Sequence, residues 1–243
     1  MQHVIEIEKL NKSFGDNHVL RDFSLSLSQG ETIAVLGKSG SGKSVLIKCI
    51  VNLVEADEGK IIVLGEDISE LKQEALDSLR AKVGFLFQSN ALYDSMTVRE
   101  NLEFPLRMHW PKEKREAEAE RAVMEVLTDV GLAHTADMMP EELSGGMRKR
   151  IALARTLILR PAIILYDEPT TGLDPVTARG ISQLIVNVQK KYNTSSIVIS
   201  HDLRCIEATA GHVIMLIDGR CYALDTFSNL EHTDDPKIRE FFD

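Results

Sequence analysis

Strict alternation of apolar and polar residues marks the N-terminal part of the chain. Residues 4–8 and 23–27 carry an apolar side chain at every second position, which predicts antiparallel strands with one face in water. A more continuous apolar run over residues 31–36 predicts a strand that leads into a glycine-rich loop. Shorter strands are predicted at residues 61–64 and 83–87.

Residues 89–160 show a different pattern. A densely charged stretch leads into apolar residues at helical spacing, among them Val123, Val126 and Leu127, which predicts an amphipathic helix. Proline and glycine residues punctuate this segment. The segment is therefore predicted to be a mostly helical insertion. A shorter helix is predicted earlier, over residues 44–53.

The pattern changes back towards the C-terminus. Strand-like apolar runs occur at residues 162–166, 196–200 and 212–217. A helix is predicted over residues 176–191, and the pair Asp218-Gly219 is typical of a hairpin turn. We therefore expect a single α/β domain over residues 1–243. Its predicted parts are a core at about 1–88 and 161–230, a helical subdomain at about 89–160 and a C-terminal tail at 231–243.

Composition and charge narrow the classes of function. The 243 residues carry a formal net charge of −9, which disfavours nucleic-acid binding because that affinity comes mainly from cations meeting phosphates. The three cysteines are widely spaced and include no CxxC pair, as is typical of reduced thiols in a cytosolic protein. No apolar run approaches the roughly 18–20 residues that span a bilayer. We expect any role at a membrane to depend on a partner.

A candidate phosphate-binding loop follows the strand at residues 31–36, where the sequence fits the pattern GxxxxGK[ST]. Glycines let main-chain N–H groups turn towards phosphate oxygens, and Lys43 adds a positive charge. Ser44 offers a hydroxyl to Mg²⁺, and the helix after the loop points its positive end at the phosphates. A turn that only caps a helix is the alternative. The predicted nucleotide-binding residues here are Gly37, Lys38, Ser39, Gly40, Ser41, Gly42, Lys43, Ser44 and Val45.

Two carboxylates follow the apolar run at residues 163–166. That run is too apolar for an exposed strand and predicts a place inside a parallel sheet. Asp167 then lies at the C-terminal end of the strand, where ligands of such sheets gather, and is predicted to hold Mg²⁺. Glu168 is predicted to polarise the attacking water or to accept its proton. An acidic pair that merely caps the next helix is the alternative.

A third motif, Leu143-Ser144-Gly145-Gly146-Met147, resembles the signature of ABC-type ATPases, and a basic helical segment follows it. Its serine and glycines would lie at a helix N-terminus, where N–H groups can face a γ-phosphate. Four more positions occur in that family's order. They are Phe14 as the aromatic that stacks on adenine, Gln88 as the Q-loop glutamine, Asp174 in the D-loop and His201 as the switch histidine.

This resemblance implies a P-loop NTPase fold of the ABC type, with a RecA-like core, an antiparallel β subdomain and a helical subdomain. It implies ATP and Mg²⁺ as cofactors, catalysis by Glu168, His201 and Gln88, and metal binding by Ser44, Gln88 and Asp167. It also implies that two copies face each other head to tail. Each ATP would then lie between the phosphate loop of one copy and Ser144, Gly145, Gly146 and Met147 of the other.

Two stretches favour a particular branch of this family. Met147 replaces the commoner signature glutamine and is followed by Arg148, Lys149 and Arg150. Together with residues 87–101, these positions resemble the Mla-type ATPases, which are associated with MCE-domain lipid transporters. That resemblance implies phospholipid as cargo, and it places the chain peripherally on the cytoplasmic face of the inner membrane. The implied partners are an integral-membrane permease, an MCE-domain protein and a STAS-type regulator.

An apolar patch beside Gln88 is a candidate docking site for the permease. It consists of Ala91, Leu92, Tyr93 and Met96, and in the resembling family the cleft after the Q-loop receives the coupling helix of the permease. The alternative is that these residues only pack the helical subdomain.

Three other functions stay open. The chain could be the ATPase of an amino-acid importer, a lipoprotein-release system or a division-associated complex. A second alternative is an ABC-type ATPase that acts on DNA or ribosomes, which the acidic charge and the absence of heptad repeats disfavour. A third is a nucleotide-binding scaffold without turnover, which Lys43, Glu168 and His201 disfavour.

Overall fold

The structure is a computed structural model, and it describes residues 3–243. An antiparallel sheet covers one side of the molecule, with strand order β2-β1-β4-β5. Its strands are β1 (His3–Phe14), β2 (Asn17–Ser28), β4 (Glu58–Val63) and β5 (Glu66–Asp67). The alternating pattern explains one buried face, on which Ile5, Ile7 and Leu27 lie. β1 and β2 extend beyond the predicted segments because a tight turn at Gly15 pairs Phe14 with Asn17.

The second sheet has six strands in the order β10-β9-β3-β8-β7-β6. Its members are β3 (Thr32–Leu36), β6 (Val83–Leu86), β7 (Ile163–Asp167), β8 (Ser195–Ile199), β9 (His212–Ile217) and β10 (Arg220–Asp225). All pairs are parallel except β9 with β10. The turn between those two strands holds Asp218 and Gly219 at positive φ, which confirms the predicted hairpin.

Nine α-helices occur in the described part of the chain. Their bounds are α1 (Lys43–Ile50), α2 (Gln73–Arg80), α3 (Val98–His109), α4 (Lys112–Asp129), α5 (Gly145–Leu157), α6 (Pro175–Tyr192), α7 (Leu203–Thr209), α8 (Phe227–Glu231) and α9 (Pro236–Arg239). Side-chain caps explain several of the starts. Thr97 forms a capping box with Glu100 at α3, and Ser144, Asp174 and Asp202 accept main-chain N–H groups at α5, α6 and α7.

Two large cores lie on opposite faces of the parallel sheet. β7 shows why, since Ile163 and Leu165 pack into the core shared with the antiparallel sheet and α1. Ile164 and Tyr166 point the other way, into the core formed with helices α3 to α6. Side chains alternate across a strand, so a continuous apolar run fills both faces. The predicted inner position of β7 is confirmed, between β8 and β6.

The α/β class and the helical content of the insertion agree with the sequence predictions. The division of the chain near residues 88 and 160 stays a prediction. Helices α2 and α7 were not predicted. Among residues 3–243, none of the helices combines the length and the apolar character that crossing a bilayer requires.

Candidate active site

The phosphate loop joins the end of β3 to the start of α1. Gly42 occupies the turn into the helix with φ of 102°, and a Cβ atom there would lie 2.8 Å from Cγ1 of Val19. Only glycine fits this combination of left-handed backbone and close packing. The loop therefore holds its main-chain shape through contact with β2.

Lys43 is the first residue of α1 and is buried, with 7% of its surface exposed. Its Nζ donates to the main-chain oxygens of Gly37 at 2.7 Å and Lys38 at 3.1 Å. Burial lowers the pKa of Lys43, while the nearby carboxylates of Glu168 and Asp167 act in the opposite direction. The ammonium is therefore held inside the loop that is predicted to surround phosphate.

Ser44 and Asp167 meet beside this loop. The Ser44 hydroxyl donates to Oδ1 of Asp167 at 3.0 Å. Burial raises the pKa of Asp167, with Glu168 adding to the rise, whereas the hydrogen bond from Ser44 lowers it. Two oxygen atoms at one edge of the loop suit Mg²⁺, which takes few protein oxygens and completes its octahedron with water and phosphate.

Glu168 and His201 form a direct pair. Nδ1 of His201 lies 2.8 Å from Oε2 of Glu168, and Thr171 donates its hydroxyl to the same oxygen at 3.0 Å. The strand order explains the pairing: Glu168 follows β7, His201 follows β8 after Ser200, and these two strands are neighbours. Glu168 has a left-handed backbone, with φ of 49°. Its N–H donates to the main-chain oxygen of Ile199 at 2.9 Å.

A cavity of about 770 Å³ brings most of the predicted residues together. Phe14 lies on its wall with 51% of its surface exposed. Loop residues and the three predicted catalytic side chains line the same space. The lining includes Phe14, Gly37, Lys38, Ser39, Gly40, Gly42, Lys43, Ser44, Val45, Gln88, Glu168 and His201.

The signature residues lie elsewhere. Within the described part of the chain, residues 144–147 and Asp174 are not among those that line this cavity. Ser144 is exposed and accepts the N–H of Met147 at 3.3 Å. A Cβ on Gly146 would lie 2.5 Å from Cγ2 of Thr177, near the start of α6, whereas one on Gly145 would meet open space. The signature therefore leaves open space beside Gly145 at a helix N-terminus, outside the cavity of the phosphate loop.

The patch after Gln88 is only partly available to a partner. Leu92 packs against the helical core. Tyr93 is 43% exposed, and its ring lies 4.9 Å from that of Phe104. Ala91 is exposed and Met96 is half-buried.

Buried Asn101 fixes the turn that carries this patch. Its Nδ2 donates to the main-chain oxygens of Tyr93, Met96 and Thr97, each at 3.0 Å, and its Oδ1 accepts the N–H of Tyr93 at 2.8 Å. One amide side chain thus closes the segment that precedes α3.

Several functional candidates escaped the sequence reasoning. Thr171 and Asn101 act through hydrogen bonds that depend on the folded geometry. Lys149 lies in the basic segment after the signature, but its burial gives no sequence signal. The tail also reaches the site, because Glu240 lies 2.6 Å from Nζ of Lys38 and Phe241 lines the cavity. Two aromatic residues near the end of the polar tail, Phe241 and Phe242, are the sequence signal that could have indicated this contact.

The fold and this site define a P-loop nucleotide-binding ATPase. The family model described as "ABC transporter" matches residues 20–171, which is more than half of the chain. The chain therefore belongs to the ABC transporter family, as its ATP-binding and ATP-hydrolysing cassette.

Curated relatives agree on the family and differ in cargo. The chain is 39% identical over 237 residues to the "Probable ribonucleotide transport ATP-binding protein mkl" of Mycobacterium tuberculosis, covering 98% of this chain and 66% of that protein. It is 37% identical to the "Methionine import ATP-binding protein MetN" of Clostridium tetani, covering 89% and 67%. It is 35% identical to the "Intermembrane phospholipid transport system ATP-binding protein MlaF" of Haemophilus influenzae, covering 99% and 90%. The chain thus spans about two thirds of the first two relatives.

A solved structure shares the fold. The dimeric ATP-binding cassette MJ0796, bound to ADP and Pi after hydrolysis, superposes with a TM-score of 0.83 at 29% identity. The match covers 92% of this chain and 98% of that one.

Proposed function

We propose that this chain is the ATP-hydrolysing motor of a transporter that moves phospholipid across a bacterial envelope. The Glu168–His201 pair at the edge of the phosphate-loop cavity is the observation that carries the hydrolytic part. The cargo is supported by MlaF, which this chain matches over nearly the whole length of both proteins.

In the proposed site, the loop N–H groups and Lys43 bind the β- and γ-phosphates, and Phe14 stacks on adenine. Glu168 polarises the attacking water and accepts its proton. His201 orients Glu168 through Nδ1 and contacts the γ-phosphate, while Gln88, which lines the same cavity, contacts the water. Thr171 adds a second hydrogen bond that restrains the Glu168 carboxylate.

Ser44, Asp167 and Gln88 are the residues that would hold Mg²⁺. When bound, this ion neutralises charge on the phosphate oxygens. The buried Asp167 carboxylate is suited to this task, because burial makes its negative charge unfavourable without a cation nearby.

The proposed working unit contains two copies. Residues 144–147 and Asp174 of each copy would face the ATP bound by the other, which makes the two sites equivalent. The open space beside Gly145 and the position of the signature outside its own cavity support this arrangement. The dimeric form of the MJ0796 cassette supports it as well.

Cargo would be handled by other chains. We propose that a membrane permease docks at Ala91, Leu92, Tyr93 and Met96, which holds this chain on the cytoplasmic face of the inner membrane. An MCE-domain protein and a STAS-type regulator complete the proposed complex. Phe104 extends the patch, since its ring contacts that of Tyr93.

Purification of the full chain from native membranes tests the cargo. The Glu168→Gln variant with ATP should stabilise the assembled complex for this purpose. Recovery of a permease with an MCE-domain protein and bound phospholipid is the expected result. Phospholipid should also stimulate the ATPase of the reconstituted complex.

Methionine import is the second candidate, favoured by the 37% identity to MetN. Recovery of a permease without an MCE-domain protein, together with ATPase stimulated by methionine and not by phospholipid, would replace the lipid assignment. A complex that hydrolyses no ATP with either addition would contradict both.

A further inference from the structure

A buried lysine outside the cavity contacts the Q-loop, which is the segment at residues 87–91 that includes Gln88. Lys149 lies on α5, two residues beyond Met147, and is only 1% exposed. Its Nζ donates to the main-chain oxygen of Gln88 at 3.0 Å and approaches that of Phe87 at 3.5 Å. A buried ammonium group is unfavourable unless hydrogen bonds compensate for its lost hydration. The burial of Lys149 therefore depends on these two carbonyl oxygens, which suggests that the contact has a function.

A second cation of the same helix binds the next part of the loop. Nη1 of Arg155 donates to the main-chain oxygen of Ala91 at 2.5 Å, and Nη2 donates to that of Asn90 at 3.2 Å. Lys149 and Arg155 thus bind four carbonyl oxygens within residues 87–91. Hydrogen bonds from charged donors are about twice as strong as neutral ones, so residues 87–91 are held tightly against α5.

The segment at residues 87–91 has an unusual backbone conformation. Asn90 and Ala91 both have positive φ, at 64° and 52°. Left-handed residues other than glycine cost about 1–3 kcal/mol each and persist where the surroundings determine them. Arg155 is part of those surroundings, because it binds the carbonyl oxygens of these same two residues. Lys149 binds the residues just before them, Phe87 and Gln88.

Electrostatics near Lys149 point in the same direction. Burial lowers the pKa of Lys149, and the Asp167 carboxylate opposes that change. Three N–H donors on a flexible stem suit a position beside the main-chain oxygens of Phe87 and Gln88.

We propose that Lys149 is a positioning residue for ATP hydrolysis, which ties Gln88 to the helix that begins with the signature. Through this tie, a movement of Gln88 in one site moves the signature that faces the other site. The proposal rests on the proposed function and deepens it. Lys149 positions Gln88 and does not itself contact ATP.

Replacement by methionine tests this role. Lys149→Met keeps an unbranched side chain of similar size and removes every donor, and replacing a buried charge by an apolar residue often leaves the fold equally stable or more stable. We expect kcat to fall about ten- to a hundredfold, while KM and the dissociation constant of a fluorescent ATP analogue change less than about twofold. Lys149→Arg keeps charged donors and should restore most of kcat.

Hydrogen exchange provides a second measurement. Amides of residues 87–91 should exchange faster in Lys149→Met, while α1 keeps its protection and the melting temperature does not fall. The matched control is Lys190→Met on α6, where the lysine is exposed. If Lys149→Met does not fold, Lys149→Leu provides the same comparison, because leucine also has no donor.

The outcomes separate two failures. Unchanged kcat in Lys149→Met, or equal loss in the methionine and arginine variants, overturns the positioning role. Glu168→Gln serves as the reference for the reaction itself. If the wild-type complex hydrolyses no ATP above the Glu168→Gln background, the proposed function fails. If the wild type is active, Glu168→Gln is inactive and Lys149→Met keeps full turnover, only the positioning role fails.

Discussion

The cavity around the phosphate loop and the N-terminus of α5 are both proposed to contact phosphate, yet they differ in how many of the proposed residues each brings together. The first gathers Phe14, Lys43, Glu168 and His201 around one space. The second presents a helix end capped by Ser144, with open space beside Gly145. The difference is what the proposed function requires, in which one copy binds ATP and hydrolysis needs two.

The largest expected effect concerns the cavity around the phosphate loop. Glu168→Gln removes the acceptor for the water proton and should reduce turnover about 10²- to 10⁴-fold. ATP binding should remain, because Lys43 and the loop are unchanged, and the ATP-bound pair should elute as a dimer. Steady-state ATPase and size exclusion with ATP measure this. Glu207→Gln on the exposed face of α7 is the control, and normal turnover in Glu168→Gln would show that another group serves as base.

The proposed role of the α5 N-terminus has its own test. Ser144→Arg places a bulky side chain at the start of α5 and should also abolish hydrolysis. A single copy should still bind ATP with unchanged affinity, because Ser144 lies outside the cavity. ATP affinity by fluorescence and turnover are the paired measurements, with exposed Ser228→Arg as control. Loss of ATP binding by the monomer would contradict a role in the partner's site.

A smaller effect is expected where the helical region attaches to the Q-loop segment. Asn101→Ala removes four hydrogen bonds. The main-chain oxygen of Met96 and the N–H of Tyr93 lose the side-chain partner that Asn101 provides. We expect a loss of about 2–3 kcal/mol in the free energy of unfolding, or about 5–10 °C in melting temperature. Differential scanning calorimetry measures the change, against Asn187→Ala on the exposed face of α6. No destabilisation would mean that the turn is held by its other contacts.

The smallest expected effect is at the cap of α3. Thr97→Ala removes one half of the capping box and should cost about 1 kcal/mol. Thr97→Ser keeps the hydroxyl and should be nearly neutral by thermal denaturation. Both variants should leave ATP binding unchanged, because α3 does not line the cavity. An equal loss in the two variants would show that the methyl group, not the hydrogen bond, stabilises the helix start.

The sequence predicted the two regions unequally. Local patterns were sufficient for the phosphate loop, the strand at residues 163–166 and the helix start at Ser144, since each depends on neighbouring residues. The Glu168–His201 pair could not be predicted from spacing, because it depends on β7 and β8 being adjacent. Lys149 was read as part of a basic segment, and only the packing of α5 against the Q-loop shows that it is buried.

The β7–β8 pairing also determines which sequence changes this site can tolerate. Asp167 lies opposite Ile199 in the parallel register. Glu168 is the next residue after Asp167, and His201 is the second residue after Ile199. A one-residue insertion in either strand would turn every later side chain to the other face of the sheet. A substitution of one residue that lines the cavity changes the contribution of that residue alone. A change of length inside β7 or β8 would separate Glu168 from His201. Variation in length is therefore expected in the surface loops, while the spacing within the two strands stays fixed.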